Sequence, residues 1–254
     1  MTAMHPTDGR ARHVLEAISS RRAIRAFRPD PVPHAAIRQI LDAAARAPSG
    51  SNIQPWQVVV VTGEALRLLG TELVRLSLSG EAGETEYAYY PRQWREPYLA
   101  RRRKVGWALY GSLGIERGQT DRMARQHARN FCFFDAPVGL IFTLDRDMEQ
   151  GSWLDLGMFV QNVMIAACGL GLDTCPQAAF CSYHQLISKR LSIPADRQIV
   201  MGMALGYADP RAPENNFETE REPVEQFARF IDTLHSNEGR NGPRVSDCPD
   251  AQIT

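Results

Sequence analysis

Apolar positions recur at helical spacing in four stretches of the chain. Val14, Leu15 and Ile18 share one face ahead of Ser19-Ser20-Arg21-Arg22. Ile37, Ile40, Leu41 and Ala44 share a second, and Pro33 is a start signal for it. From 152 to 169 the chain is apolar on nearly every side, which predicts a central buried helix closed by Gly169 and Gly171. A fourth apolar face runs from Val224 through Phe227 to Ile231. Three β-branched runs, at 57–62, 138–144 and 198–205, read as strands. They are almost continuously apolar, as strands covered on both faces are. Helices on the two faces of a sheet of few strands make an α+β or α/β architecture, and pattern alone leaves the strand direction open.

Composition narrows the class. The 254 residues suit one large domain, and 44% hydrophobic with 23% charged residues is ordinary globular material. We expect a single domain over 1–235, a variable insertion at about 80–120 and a polar tail at 236–254. The insertion carries YAYYPRQWREPYLARRRKVGWALYGS, rich in tyrosine and arginine. Lys plus Arg total 29 and Asp plus Glu total 29, so no global field draws nucleic acid or an anionic membrane. No apolar run approaches the length of a membrane span. Five cysteines, an odd number, argue against a disulfide scaffold. The start, MTAMHPTDGRARHVLEA, lacks the apolar centre of a signal peptide, and the expected location is cytoplasmic.

Familiar catalytic motifs fail on context. Gly169-Leu170-Gly171 closes a helix and precedes a strand, the reverse of a dinucleotide fingerprint. Ser49-Gly50-Ser51-Asn52 lacks the Gly-Lys-Ser/Thr of a P-loop. Cys168, Cys175 and Cys181 lack zinc spacing, with His184 alone nearby. No nucleophile elbow is present and no protein nucleophile or general base suggests itself. A chain without its own reactive group borrows one from a cofactor.

Four segments gather binding chemistry. Arg21, Arg22 and Arg25 put three cations in five residues among Ala23, Ile24, Ala26 and Phe27. Such a cluster is ordinarily solvated surface, yet partial burial demands an anion, and the cluster holds no acid of its own; a bound phosphate would serve. Pro48, Ser49, Gly50, Ser51 and Asn52, followed by Gln54 and Trp56, combine hydroxyls and carboxamides in a turn that suits a polar heterocycle. Pro176, Gln177, Ala178 and Ala179 let a ligand approach the backbone, or equally form a tight connection after a strand. Glu220-Arg221-Glu222-Pro223 reads by itself as a charged helix start.

Taken in order and spacing, SSRRAIRAF, AARAPSGSNIQPWQVVVV, WLDLGMFVQNVMIAACGLGLDTCPQAAF and VMGMALGYAD followed by EREPV resemble the FMN-dependent nitroreductase family over roughly 14–230. EPYLARRRKVGWALY and GSWLDLGMFVQN further resemble its bacterial branch that reduces nitrobenzoates and related nitroaromatics. The resemblance implies an α+β sandwich with a mixed, mostly antiparallel sheet flanked by helices. It also implies an obligate, intertwined homodimer holding two FMN at its interface. Arg21, Arg22 and Arg25 match positions at the phosphate and ribityl chain, and Ala23 replaces a common serine. Pro48, Ser49, Gly50, Ser51 and Asn52 match a loop that reaches the flavin from the partner subunit. Gln161 matches a residue near the flavin, and Pro176 and Gln177 lead into Ala178 and Ala179, whose amides match those at flavin N5. Arg221 matches a C-terminal cation at the phosphate, and Thr219 stands where many relatives carry another.

The implied chemistry belongs to the flavin. NADPH or NADH delivers hydride to N5 and leaves, and a nitroaromatic then takes electron pairs to give nitroso and hydroxylamine products, a ping-pong sequence. Arg22 is the expected electrostatic stabiliser, and no metal is expected. Tyr90, Trp94, Tyr98, Arg101 and Tyr110 in the insertion are candidates for gripping substrate or for dimer packing. Competing readings are a reductive dehalogenase or flavin-destroying enzyme of the same superfamily, a non-catalytic FMN store or sensor, and a flavin-free interaction module.

Overall fold

The computed structural model describes residues 14–81 and 83–233. The expected tail at 236–254 lies outside the described residues. One compact unit ends at Glu218 and a second begins at Thr219. In the first, the order is α1 (Val14–Ser20), α2 (His34–Ala44), β1 (Gln57–Thr62), α3 (Gly63–Ser79), α4 (Tyr98–Ser112) and α5 (Thr120–Ala128). Then follow β2 (Val138–Asp145), α6 (Gln150–Gly169), β3 (Asp173–Gln177), α7 (His184–Leu191) and β4 (Arg197–Gly206).

The four strands form one sheet in the order β1-β2-β4-β3, every pair antiparallel. Its mixed character comes from an isolated parallel bridge between Ala23 and Thr174 at the β3 edge. β2 explains why the strands read as continuous apolar runs. Val138, Leu140, Phe142 and Leu144 enter the core under α2 and α6, while Ile141 enters the core with α3. Successive side chains on a strand point to opposite faces, so two covered faces demand apolar residues at both parities. Two glycines let the second layer close onto the sheet. A Cβ at Gly202 would sit 2.3 Å from the Phe180 ring, and one at Gly139 would sit 2.6 Å from Phe133.

α2 buries Ile37, Ile40 and Ala44 as the pattern predicts. α6 is central but not buried all round. Leu156, Phe159, Val160 and Val163 face the core, whereas Leu154 is 72% exposed and Met158 and Gln161 are exposed beside it. α1 departs further: Val14, Leu15 and Ile18, its predicted apolar face, are all exposed, and Ala17 alone of its residues is buried. Periodicity identifies an apolar face without saying what covers it, and here none of the described residues does. The second unit corrects the fourth helical expectation. Its described residues hold one short turn, Val224–Gln226, and Val224, Phe227 and Ile231 are exposed. Val224–Ile231 has the spacing of a helix face, but none of the described residues of the unit buries it, and a short helix is marginal without such packing.

Candidate functional site

The arginine cluster lies on extended backbone laid along the sheet edge. Ile24 donates from its backbone N–H to Thr174 O at 3.1 Å, and Arg28 N donates to Tyr207 O at 2.8 Å. Asn215, 5% exposed, staples the strip from beneath. Its Oδ1 accepts from Arg25 N at 2.7 Å, and its Nδ2 donates to Ala26 O at 2.8 Å and Asp209 O at 3.0 Å. Extended backbone sends alternate side chains to opposite faces. Arg21, Ala23 and Arg25 therefore share one face, and Arg22 and Ile24 the other. The electrostatics agree. Burial pushes the Cys175 thiol up to about 11, against the pull of the Arg25 and Arg21 guanidiniums. Arg22 and Ile24 instead line a cavity of about 260 Å³ with Cys168, Asp173 and Asp209.

This arrangement leaves charge uncompensated. Among the described residues no acid pairs with Arg21, Arg22 or Arg25. The Cys175 thiol is neutral at ordinary pH, so it cannot balance them. Arg25 gives one bond to Ala23 O at 3.2 Å and lies 5.7 Å from the Phe217 ring centroid, contacts that orient it without neutralising it.

β3 runs from this strip into a turn at Ala178–Ser182. Pro176 is tolerated because β3 is an edge strand with no further neighbour needing its N–H. Gln177, 2% exposed, donates from Nε2 to Asn130 O at 2.7 Å, while its Oε1 is buried without a partner. Phe180 stacks on Phe133 at 4.4 Å and fills the space over Gly202, which fixes the turn. Ala178 and Ala179 remain partly exposed.

The loop of Pro48, Ser49, Gly50, Ser51 and Asn52 is strained. Ser51, Asn52 and Gln54 all have positive φ, at 48°, 57° and 50°. Non-glycine residues rarely occupy that region, and held strain of this kind concentrates at functional sites. Ser49 Oγ accepts from Gln54 N at 3.0 Å, and Asp155 Oδ2 accepts from Gly50 N at 3.2 Å. Asp155 is a buried acid in the first half of α6, and Trp56 stacks on Phe159 at 4.9 Å just beyond it. The Arg22 cavity, by contrast, touches Cys168 in the last turn of α6. Thirteen residues separate Asp155 from Cys168, about 20 Å at 1.5 Å per residue. Within one chain the structure thus joins Arg21, Ala23 and Arg25 to Thr174 and Cys175 on the strand leading to Ala178, and leaves the loop at the other end of α6. Gln161 lies between them on the exposed face.

The insertion forms α4, in which no residue is buried. Tyr90, Tyr98 and Arg101 are exposed, and Trp94 and Tyr110 half-buried. Guanidiniums cap its rings: Arg95 and Arg101 lie 5.0 and 5.7 Å from the Tyr98 centroid, and Arg102 4.8 Å from Trp94. In the second unit Arg221 donates from Nη1 to Thr219 Oγ1 at 2.7 Å and to the carbonyls of Thr219 and Glu220. Asn215 and Asp155 escape a sequence reading. An acid inside an apolar helix was a signal for Asp155; nothing local marks Asn215, whose partners on the arginine strip, Arg25 and Ala26, lie 190 and 189 residues away.

Known proteins share this architecture. Residues 18–207 match the family described as "Nitroreductase family". Nitrobenzene nitroreductase of Ectopseudomonas oleovorans is 41% identical over 217 residues, 85% of this chain and 96% of that one. A 4-nitrobenzoate reductase of Pseudomonas putida is 40% identical over 214 residues, 84% of this chain and 93% of its own. Among solved structures, the FMN and NADPH-dependent nitroreductase NfnB from sphigopyxis sp. strain HMH aligns with a TM-score of 0.83 and 36% identity, covering 86% of this chain and 99% of that one. The FMN-dependent nitroreductase NfnB from Mycobacterium smegmatis, in complex with NADPH, aligns at 0.81 and 33%, covering 85% and 96%. Because the match runs through the arginine strip, the strained loop and the sheet that separates them, the chain belongs to the nitroreductase family.

Proposed function

We propose that this protein is an FMN-dependent NAD(P)H oxidoreductase that reduces nitroaromatic compounds, and that each active site is shared by two copies of the chain. The observation that carries the reading is the pair of half-buried guanidiniums, Arg21 and Arg25, that no described acid pairs with, beside a neutral thiol; Arg22 is exposed and shares its cavity with Asp173 and Asp209. Burying cations without anions is costly, and a phosphate offers the charge and the oxygens to satisfy them. The residues therefore fit FMN. Bound FMN would supply the two-electron chemistry, taking hydride from NAD(P)H and passing electrons to a nitro group.

The chain's own residues bind and orient. Arg21 and Arg25 hold the phosphate and ribityl chain from their common face. Partly exposed backbone at Ala178 and Ala179 offers amides to the ring edge. Ser49, Ser51, Asn52 and Gln161 come from the second copy. Two features support that division: the separation of about 20 Å along α6, and the apolar faces that one chain leaves open, at Leu154 and Met158 on α6 and at Val14 and Leu15 on α1. A two-fold dimer is the commonest way to cover such a self-complementary patch. Tyr90, Trp94, Tyr98, Arg101 and Tyr110 belong to the substrate cover, and one shared face gives ping-pong kinetics. No helix among the described residues is long and apolar enough to cross a membrane. Free thiols at Cys132, Cys175 and Cys181 suit the cytoplasm.

The test is direct. Purified protein should carry one releasable FMN per chain, bleach with NADPH under argon, and regain its colour with 4-nitrobenzoate. A flavin that NADPH leaves oxidised would instead identify a store or sensor, and colourless protein would refute the cofactor.

A further inference from the structure

We propose that the segment 83–87 is a latch that couples the cover helix α4 to the turn at Ala178–Ser182, with Glu86 and Tyr87 as its positioning residues. The functional weight of that turn rests on the reading just given; the latch itself is visible in the packing. Gly83 presses on Ser182 so closely that a Cβ would sit 2.2 Å from Ser182 O. Glu84 forms a parallel bridge with Tyr183, and its carboxylate accepts from Gln185 Nε2 at 3.3 Å. Tyr183 Oη donates to Glu81 O at 3.3 Å. The next two residues close the contact. Glu86 Oε1 accepts from Arg146 Nη2 and lies 3.1 Å from His184 Nδ1. Tyr87 Oη donates to Val200 O and lies 3.4 Å from Cys181 Sγ, which donates to the same carbonyl at 2.9 Å.

Two physical points argue for positioning rather than plain stability. The Glu86 side chain is 10% exposed, and its second oxygen is buried without a partner. A buried ion pair with an unsatisfied oxygen contributes little net stability, because desolvation offsets the attraction, but it fixes geometry. Tyr87, in turn, begins a chain of rings. It meets Trp153 of α6 edge-on at 4.6 Å and Tyr89 at 6.4 Å. Tyr89 meets Tyr90 at 4.7 Å, Tyr90 meets Trp94 at 5.3 Å, and Arg102 of α4 caps Trp94 at 4.8 Å. Burial pushes the Tyr87 hydroxyl far above the ordinary phenol range, so it stays a donor at any working pH. α4 buries no residue of its own and also touches the turn at Pro213–Asn215; this ladder, with the latch at its root, is a direct route by which its placement reaches the turn at Ala178–Ser182.

The experiment compares hydrogen–deuterium exchange of the FMN-loaded wild type with Tyr87→Phe and Glu86→Gln. Tyr87→Phe keeps the ring against Trp153 and removes only the hydroxyl. Exchange should accelerate about fivefold, the equivalent of one hydrogen bond, in both 98–112 and 178–184. The KM for 4-nitrobenzoate should rise while FMN stoichiometry stays at the wild-type value. Faster exchange confined to 83–90 in both variants, with 178–184 unchanged, would overturn the latch. Wild-type protein that binds no FMN would overturn the proposed function instead, and the exchange comparison would still decide the coupling on the flavin-free chain.

Discussion

Removing the Asp155 carboxylate should loosen the flavin site without unfolding the protein. Asp155 is 8% exposed and accepts from Gly50 N at 3.2 Å, the bond that ties the strained loop to α6. A hydrogen bond to a charged acceptor contributes about 1.5–3 kcal/mol. Against it stands the strain at Ser51 and Gln54, about 1–3 kcal/mol for each non-glycine residue held at positive φ and so about 2–6 kcal/mol for the pair; Asn52 tolerates that region better. The strain matches or exceeds this one bond, so the loop is held by a small margin and only together with contacts such as Gln54 N to Ser49 Oγ. In Asp155→Ala the Gly50 N–H turns to water, which its exposure allows, and Ser51 and Gln54 relax to ordinary φ. Stability should fall by only about 1–2 kcal/mol, because released strain offsets part of the lost bond. FMN affinity should fall by about ten- to a hundredfold, as binding must first restore the minor loop conformation. Asp155→Asn, which keeps one acceptor oxygen, should lie between. Titration of apoprotein by quenching of flavin fluorescence, with thermal melts alongside, reads both quantities. An FMN Kd within twofold of wild type in Asp155→Ala would refute the reasoning, and would leave Asp155 as an anchor without influence on the site.

The alternation of the arginine strip makes a second prediction: Arg21→Ala and Arg25→Ala should each weaken FMN binding by about 1.5–3 kcal/mol, the loss of a charge-assisted bond, and Arg22→Ala by clearly less. Equal losses at all three positions in the same titration would show that the cavity-facing guanidinium also reaches the phosphate. Leu154→Glu puts a charge on the exposed face of α6, and light scattering should then give the mass of one chain, with flavin lost in parallel; an intact, flavin-loaded dimer would disprove the shared site. Cys175 supplies a pH signature. Its pKa is raised from 9.0 to about 11 by burial, so the folded state holds the proton that the unfolded chain gives up. The stabilisation is present below pH 9.0 and is lost as pH rises from there toward 11. Urea unfolding should therefore show a decline above pH 9.0 that Cys175→Ala reduces; identical slopes for the two proteins would remove Cys175 as its cause.

Much of this protein was decided locally. β2 and β4 were legible because coverage on both faces imposes an unbroken apolar run, and α2 because Ile37, Ile40 and Ala44 repeat at helical spacing; β1 was legible from its β-branched residues, but as an edge strand it buries Val61 alone and is not covered on both faces as its pattern suggested. The cation cluster, the loop at 48–52 and the Pro-Gln-Ala-Ala connection could be found as composition in short windows. Tertiary structure decided the rest. Arg22 parts from Arg21 and Arg25 because pairing of Ala23 with Thr174 holds the strip extended, and side-chain parity then does the sorting. Asn215 reaches Arg25 across 190 residues and Asp155 reaches Gly50 across 105, separations that no periodicity can carry. The apolar face of Val14, Leu15 and Ile18 is present but exposed, and α6, expected to be buried on nearly every side, leaves Leu154 and Met158 open, because hydrophobic spacing states which face avoids water and leaves open which molecule covers it.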